Sequence, residues 1–104
     1  MNAAGYFIFF SINIMDTVSL IAEFLGTFLL VLSVLASGGN AYVIGATLAV
    51  IILLTGKLSG AHVNPAISLT MYVKGGLSAN ELGMYMASQF LGGVASLYAY
   101  RVFA

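Results

Sequence analysis

The chain has 104 residues, of which 62% are hydrophobic and 6% charged, and its three basic and three acidic side chains leave a formal net charge of zero. A soluble domain carries about a quarter charged residues, so this chain has too few charges to cover a water-facing surface, and lipid is the solvent its composition fits. Zero net charge argues against a nucleic-acid partner, and the absence of cysteine excludes a disulfide framework or a thiolate metal site.

Residues 1–15 form an N-terminal lead-in. Its apolar run at 6–15 is too short to span a bilayer, and no basic segment precedes it to make a signal peptide. The lead-in is expected to be interfacial or disordered, or to lengthen the first spanning helix. Tyr6, Phe7, Phe9 and Phe10 suit anchoring at a membrane interface. The second segment, which holds the spanning elements, occupies 16–104. Asp16 or Thr17 can cap a helix start. Residues 18–37 are apolar apart from Ser19, Glu23, Thr27, Ser33 and the terminal Ser37, a length sufficient to cross. Gly38-Gly39-Asn40 makes a turn. A second crossing is expected at 41–56, with Lys57 snorkelling to the headgroups at its end.

Residues 58–63 lack a helical pattern and include Ser59, Gly60 and His62. Non-helical backbone at membrane depth is tolerated only where protein or a water-filled cavity covers it. The segment therefore reads as a re-entrant loop. Asn64 followed by Pro65 starts a helix, with an Asn cap and a Pro at the first position. Lys74-Gly75-Gly76 stops that helix after 65–73. At about 1.5 Å per residue it is about 14 Å long, half of a bilayer's hydrocarbon core. Ser78 and Glu81 have the spacing of a capping box. A third crossing is expected at 81–103, with Gln89 along it and Arg101 near its end. Ala22, Gly26 and Thr27, Gly45 and Ala49, and Gly92, Gly93 and Ala95 make small-residue surfaces for close helix crossing. The expected fold is an all-α membrane protein with three transmembrane helices and one re-entrant half-helix.

Ser59-Gly60-Ala61-His62-Val63-Asn64-Pro65-Ala66 resembles the first signature loop of the aquaporin and glycerol-facilitator family, the major intrinsic proteins. Ala22-Glu23-Phe24-Leu25-Gly26-Thr27-Phe28 is similar to that family's first helix, and Ser88-Gln89-Phe90-Leu91-Gly92-Gly93 to its third. The likeness covers residues 20–103. The resemblance implies half of an aquaporin-like fold, because family members hold two inverted halves whose short helices meet at the midplane. Only the first half is matched. Where the second signature carries an arginine after its asparagine-proline-alanine, this chain has Ile67. The resemblance also implies a passive channel rather than an enzyme, with no cofactor and no metal. The one histidine per chain is a poor metal set, so His62 is expected to pack or to flank the pore.

A half-helix ending in mid-bilayer leaves its first backbone N–H groups unpaired, at several kcal/mol each in hydrocarbon. Asn64 caps one; a second, inverted copy would meet the rest. Two half-helices add to about 28 Å against a core of about 30 Å. The expected assembly is an antiparallel homodimer in the lipid bilayer, and the family's fourfold packing would make it four dimers, or eight chains. Lys57 and Lys74 fall on one side and Arg101 on the other, a weak orientation bias that permits insertion both ways. The alternatives are that these residues belong to a longer protein, or that a separately encoded partner supplies the other half.

The expected function is a passive water channel in a cell or inner membrane. Gly60, Ala61, His62 and Val63 are expected to present backbone carbonyls to the pore, and Asn64, Pro65 and Ala66 to form its centre. Ile44 and Ile67 stand at the filter positions. Glu23 and Gln89 are expected to brace the loop, Glu23 by accepting from its N–H groups. A facilitator of glycerol or urea, a non-conducting assembly partner of full-length relatives, and a proton-coupled or multidrug transporter using Glu23 are the competing readings.

Overall fold

A computed structural model describes the backbone of residues 3–104 and the side chains of 16–104. Four helices follow one another: α1 (Ala3–Ala36), α2 (Ala41–Ser59), α3 (Pro65–Lys74) and α4 (Ala79–Phe103), with no strand among the described residues. The backbone of 3–15 continues α1. Whether that segment's side chains anchor at an interface lies outside the described residues.

Each boundary has a local cause. Gly38 and Gly39 turn the chain at φ +64° and +82°, and Asn40 caps α2 by accepting from the N–H groups of Tyr42 and Val43. α2 runs past the expected stop at residue 56 to Ser59. Its left-handed C-cap is Gly60, at φ 87°, whose N–H donates to Gly56 O at 2.9 Å. The non-helical segment is therefore 60–63, two residues shorter than expected. Gly75, at φ 99°, ends α3 in the same way. Ser78 and Glu81 form the capping box of α4 reciprocally, at 3.1 and 3.0 Å.

Asp16–Ala36 and Ala41–Ser59 are long and apolar enough to cross a membrane. α4 has 25 residues, about 37 Å, but Asn80, Glu81, Gln89 and Arg101 make it less apolar. α1 is the central helix, packing against α2 and α4, while α3 packs on α4. The α1–α4 crossing is close enough that a Cβ at Gly92 would lie 2.4 Å from Phe24 O. α3 runs back along the first turns of α4: its early residue Ser68 meets Gln89, and its end joins the start of α4 through the short 75–78 turn.

The interior is small and mostly polar. Glu23, Thr27, Ser59, His62, Ser68, Gln89 and Ser96 are buried beside Ala22, Ile51, Ala61, Val63 and Tyr85, whereas Leu53, Leu54, Val73, Leu91 and Val102 face outward. This distribution suits a chain whose solvent is hydrocarbon, where close packing and internal hydrogen bonds hold helices together.

Candidate functional site

The site is built around the loop between α2 and α3. Its backbone is unusual: Gly60, Ala61 and Val63 all have positive φ, at 87°, 50° and 47°. A β-branched residue in that region is an outlier costing about 1–3 kcal/mol, so something must hold Val63 there. Glu23 does so from α1. Its Oε1 accepts from the Val63 N–H at 2.8 Å, and its Oε2 accepts from the His62 N–H at 3.0 Å. Ser59 Oγ donates to Oε2 at 2.6 Å and Gln89 Nε2 donates to Oε1 at 2.8 Å. Four donors thus converge on two oxygens, filling the acceptor sites of a carboxylate that has no exposed surface.

A second tier of bonds surrounds this one. Ser59 Oγ accepts from the Ala61 N–H at 3.2 Å, and Tyr85 Oη donates to Ser59 O at 2.7 Å. Ser19 Oγ donates to Leu58 O at 2.8 Å. Gln89 Nε2 also donates to Ser68 Oγ at 2.8 Å, and Ser68 Oγ lies 2.9 Å from His62 Nδ1. Ser68 Oγ accepts from Gln89 and has both a hydrogen and a second lone pair left for Nδ1. The contact therefore fits either imidazole tautomer. The His62 ring packs against Tyr85 at 5.1 Å between centroids. Gly26 leaves room for the loop: a Cβ there would lie 2.6 Å from Val63 Cγ1.

Asn64 follows in extended backbone, at φ −159°, and caps α3. Its Oδ1 accepts from the Ala66 N–H at 2.8 Å, and among the described residues nothing accepts from its Nδ2. The side chain is exposed, as are Ala66 and Ile67, while Pro65 is half-buried. No hydrogen bond of the described residues ends on the carbonyl oxygens of Gly60, Ala61, His62 or Val63. The site therefore offers free acceptors along the loop and one free amide donor at the head of α3.

Gly60 to Ala66, Glu23 and Gln89 are brought together. Ile44 and Ile67 are not: they stand on α2 and α3, which do not touch within the chain. Reasoning from sequence missed Ser68 and Tyr85 as members of the network. No local signal marked them, because their partners lie 21 and 26 positions away in sequence.

Beside Asn64, a cavity of about 420 Å³ runs between α1 and α4, lined in part by Thr27, Val63, Pro65, Gln89 and Gly93. Two buried polar atoms on its lining residues, Thr27 Oγ1 and Gln89 Oε1, have no hydrogen-bond partner among the described residues.

The family model for the major intrinsic proteins matches residues 9–103. The chain is 37% identical over 90 residues to the aquaglyceroporin AqpS of Rhizobium meliloti (strain 1021), covering 72% of this chain and 39% of that protein. It is 32% identical over 105 residues to aquaporin NIP1-1 of Arabidopsis thaliana, covering 88% and 36%. It is 37% identical over 89 residues to aquaporin Z of Brucella melitensis biotype 1, covering 72% and 39%. The chain thus spans less than two-fifths of the length of these relatives. With nearly all of its length matched by the family model and its loop, cap and buried carboxylate in register with one another, the chain belongs to the major intrinsic protein family of integral membrane proteins.

Proposed function

We propose that the chain forms half of a passive transmembrane water pore, completed by a second, inverted copy of itself. α1, α2 and α4 cross the bilayer, and α3 with its loop enters and leaves on one side. The observation that carries this reading is the state of Asn64: its carbonyl oxygen is engaged by the Ala66 N–H, which leaves its amide hydrogens for a molecule in the pore. Two such residues, one from each copy, donate to a single passing water oxygen. α3 is about 15 Å long, so two of them end to end match the hydrocarbon core of about 30 Å.

The positive ends of the two half-helices face each other at the midplane, where they repel cations and orient water against a proton relay. The unengaged carbonyl oxygens of Gly60, Ala61, His62 and Val63 form the acceptor path leading inward. Glu23 and Gln89 act as braces that hold this path in its strained backbone, and His62 packs behind it. No bond is broken, so the site needs no acid, base or nucleophile. Four such dimers side by side are the assembly proposed from the family's packing.

A second reading has its own support. Ile44 and Ile67, the filter positions, are aliphatic, and one relative is named an aquaglyceroporin. A filter without a cationic donor suits small neutral solutes such as glycerol or urea. Stopped-flow light scattering of liposomes holding the purified chain separates the readings. Fast shrinkage in a sucrose gradient supports the water pore. Fast re-swelling in glycerol supports the second reading. Neither response leaves a non-conducting assembly partner and refutes the proposal.

A further inference from the structure

A second cavity, of about 450 Å³, lies between α1 and α2 and shares no lining residue with the one beside Asn64. Leu25 and Leu29 of α1 and Val50 and Leu54 of α2 form its exposed walls, and the buried Gly26 and Ile51 form its floor. Two threonines line it, but both hydroxyls are engaged within α2. Thr47 Oγ1 donates to Val43 O at 2.7 Å, and Thr55 Oγ1 donates to Ile51 O at 2.8 Å. No charged residue lines the cavity. Its occupant is therefore apolar, either a hydrocarbon chain or the side of another helix.

Lys57 discriminates between the two. Ala46, Val50 and Leu54 follow one another along the cavity at four-residue steps, and Lys57 comes three residues later on the same face of α2. It is exposed and forms no ion pair with the described residues. It stands in the last turn of α2, where a lysine stem lies along apolar surface while its ammonium reaches the headgroups. A docked second copy has little to offer that ammonium. Its Glu23 is enclosed by four donors and its Glu81 is held in the capping box, which leaves Asp16 alone. A phospholipid brings an apolar chain and a phosphate in one molecule.

We propose that the groove between α1 and α2 seats one acyl chain of a phospholipid with a net negative headgroup, whose phosphate pairs with Lys57. The site goes beyond the pore reading and does not depend on it. Its floor reaches the loop: a Cβ at Gly26 would lie 3.1 Å from Ile51 Cγ2 and 2.6 Å from Val63 Cγ1. A seated chain packs against the residues that back Val63 and so steadies the positive-φ backbone there.

The chain has no tryptophan, so a single introduced one is the sole reporter. Leu54→Trp places it in the groove. Leu53→Trp, at a position 84% exposed and outside the cavity lining, places it in bulk lipid. Both variants are reconstituted in mixtures of phosphatidylcholine and phosphatidylglycerol, with brominated acyl chains on one lipid at a time as the quencher. At Leu54→Trp the expected result is about a fivefold preference for phosphatidylglycerol, the effect of one basic residue near an anionic headgroup. Leu53→Trp should show no preference, and Lys57→Gln should remove the one at Leu54→Trp. Val50→Trp, on the same wall, repeats the measurement should Leu54→Trp lose helix content. Equal quenching by the two lipids in the groove, or a groove reporter that neither lipid reaches because another helix covers it, overturns the site. In the unsubstituted chain, the Val63 amide should exchange more slowly in phosphatidylglycerol nanodiscs than in phosphatidylcholine ones. Equal exchange overturns the link from the groove to the loop.

Discussion

Glu23→Gln is the most informative single substitution in the loop network, because it changes one atom and the charge but not the shape. The carboxylate accepts four hydrogen bonds. An amide has one oxygen to accept and an NH₂ that must donate. Placed at the Oε1 position, the NH₂ faces the Val63 N–H and Gln89. Gln89 can flip and offer its unpartnered Oε1, but the Val63 N–H cannot. Placed at the Oε2 position, the NH₂ faces Ser59, whose hydroxyl can rotate, and the His62 N–H, which cannot. Either way one backbone donor is stranded, at about 1–3 kcal/mol. The remaining bonds lose their charge assistance, at about 1 kcal/mol each. The combined loss is about 4 kcal/mol or more, a large share of the roughly 5–15 kcal/mol by which domains are stable. It falls on the segment whose positive-φ backbone Glu23 holds. Hydrogen–deuterium exchange in nanodiscs should show the amides of His62 and Val63 exchanging much faster in Glu23→Gln, before the rest of α1 and α2 changes. Unaltered exchange at 60–63, together with a stability loss under about 1 kcal/mol, would refute the claim that this carboxylate holds the loop.

Other variants test neighbouring contacts. Gly92→Ala puts a Cβ 2.4 Å from Phe24 O, a backbone atom that cannot rotate away, whereas at Gly93 the nearest atom is 3.6 Å off. Gly92→Ala should therefore destabilise by about 1–3 kcal/mol and Gly93→Ala should be close to neutral, measured as unfolding midpoints in detergent. Ser68→Ala removes the shared partner of Gln89 and His62. It should cost about 1–3 kcal/mol and shift the His62 imidazole resonances in NMR spectra, while leaving α2 unchanged. Asn64→Asp keeps the cap on the Ala66 N–H but replaces the free amide donor with a negative charge. It should raise sodium leak in a liposome flux assay with little loss of helix content. An unchanged leak would argue against Asn64 at the pore centre.

The short helix was readable from local chemistry. Asn64 and Pro65 start it, Gly75 stops it, and the structure places α3 at Pro65–Lys74. The end of α2 was harder, because Gly56 and Lys57 carry the composition of a helix end. A left-handed C-cap follows at Gly60 instead, where the chain must turn inward. The network depends on partners that are distant in sequence. Glu23 bonds to residues 36, 39, 40 and 66 positions away, and no local pattern encodes such pairings. Ser68 and Tyr85 were missed for the same reason: each is an ordinary polar or aromatic residue on an apolar helix until the opposing element is in place. Thr27 reads in sequence as a small residue for helix packing. Only its burial and its unpartnered hydroxyl distinguish it.

The central claim is that two oppositely directed copies make one pore, and orientation in the native membrane tests it most directly. Ala104→Cys places the chain's sole thiol at the exposed end of α4. Sealed vesicles of known sidedness are treated with a membrane-impermeant thiol reagent, then permeabilised and treated with a second, distinguishable one. The account predicts that both reagents label comparable fractions of the chain, because copies face both ways. Labelling confined to one reagent would mean that all copies point in the same direction, and would contradict the antiparallel pore.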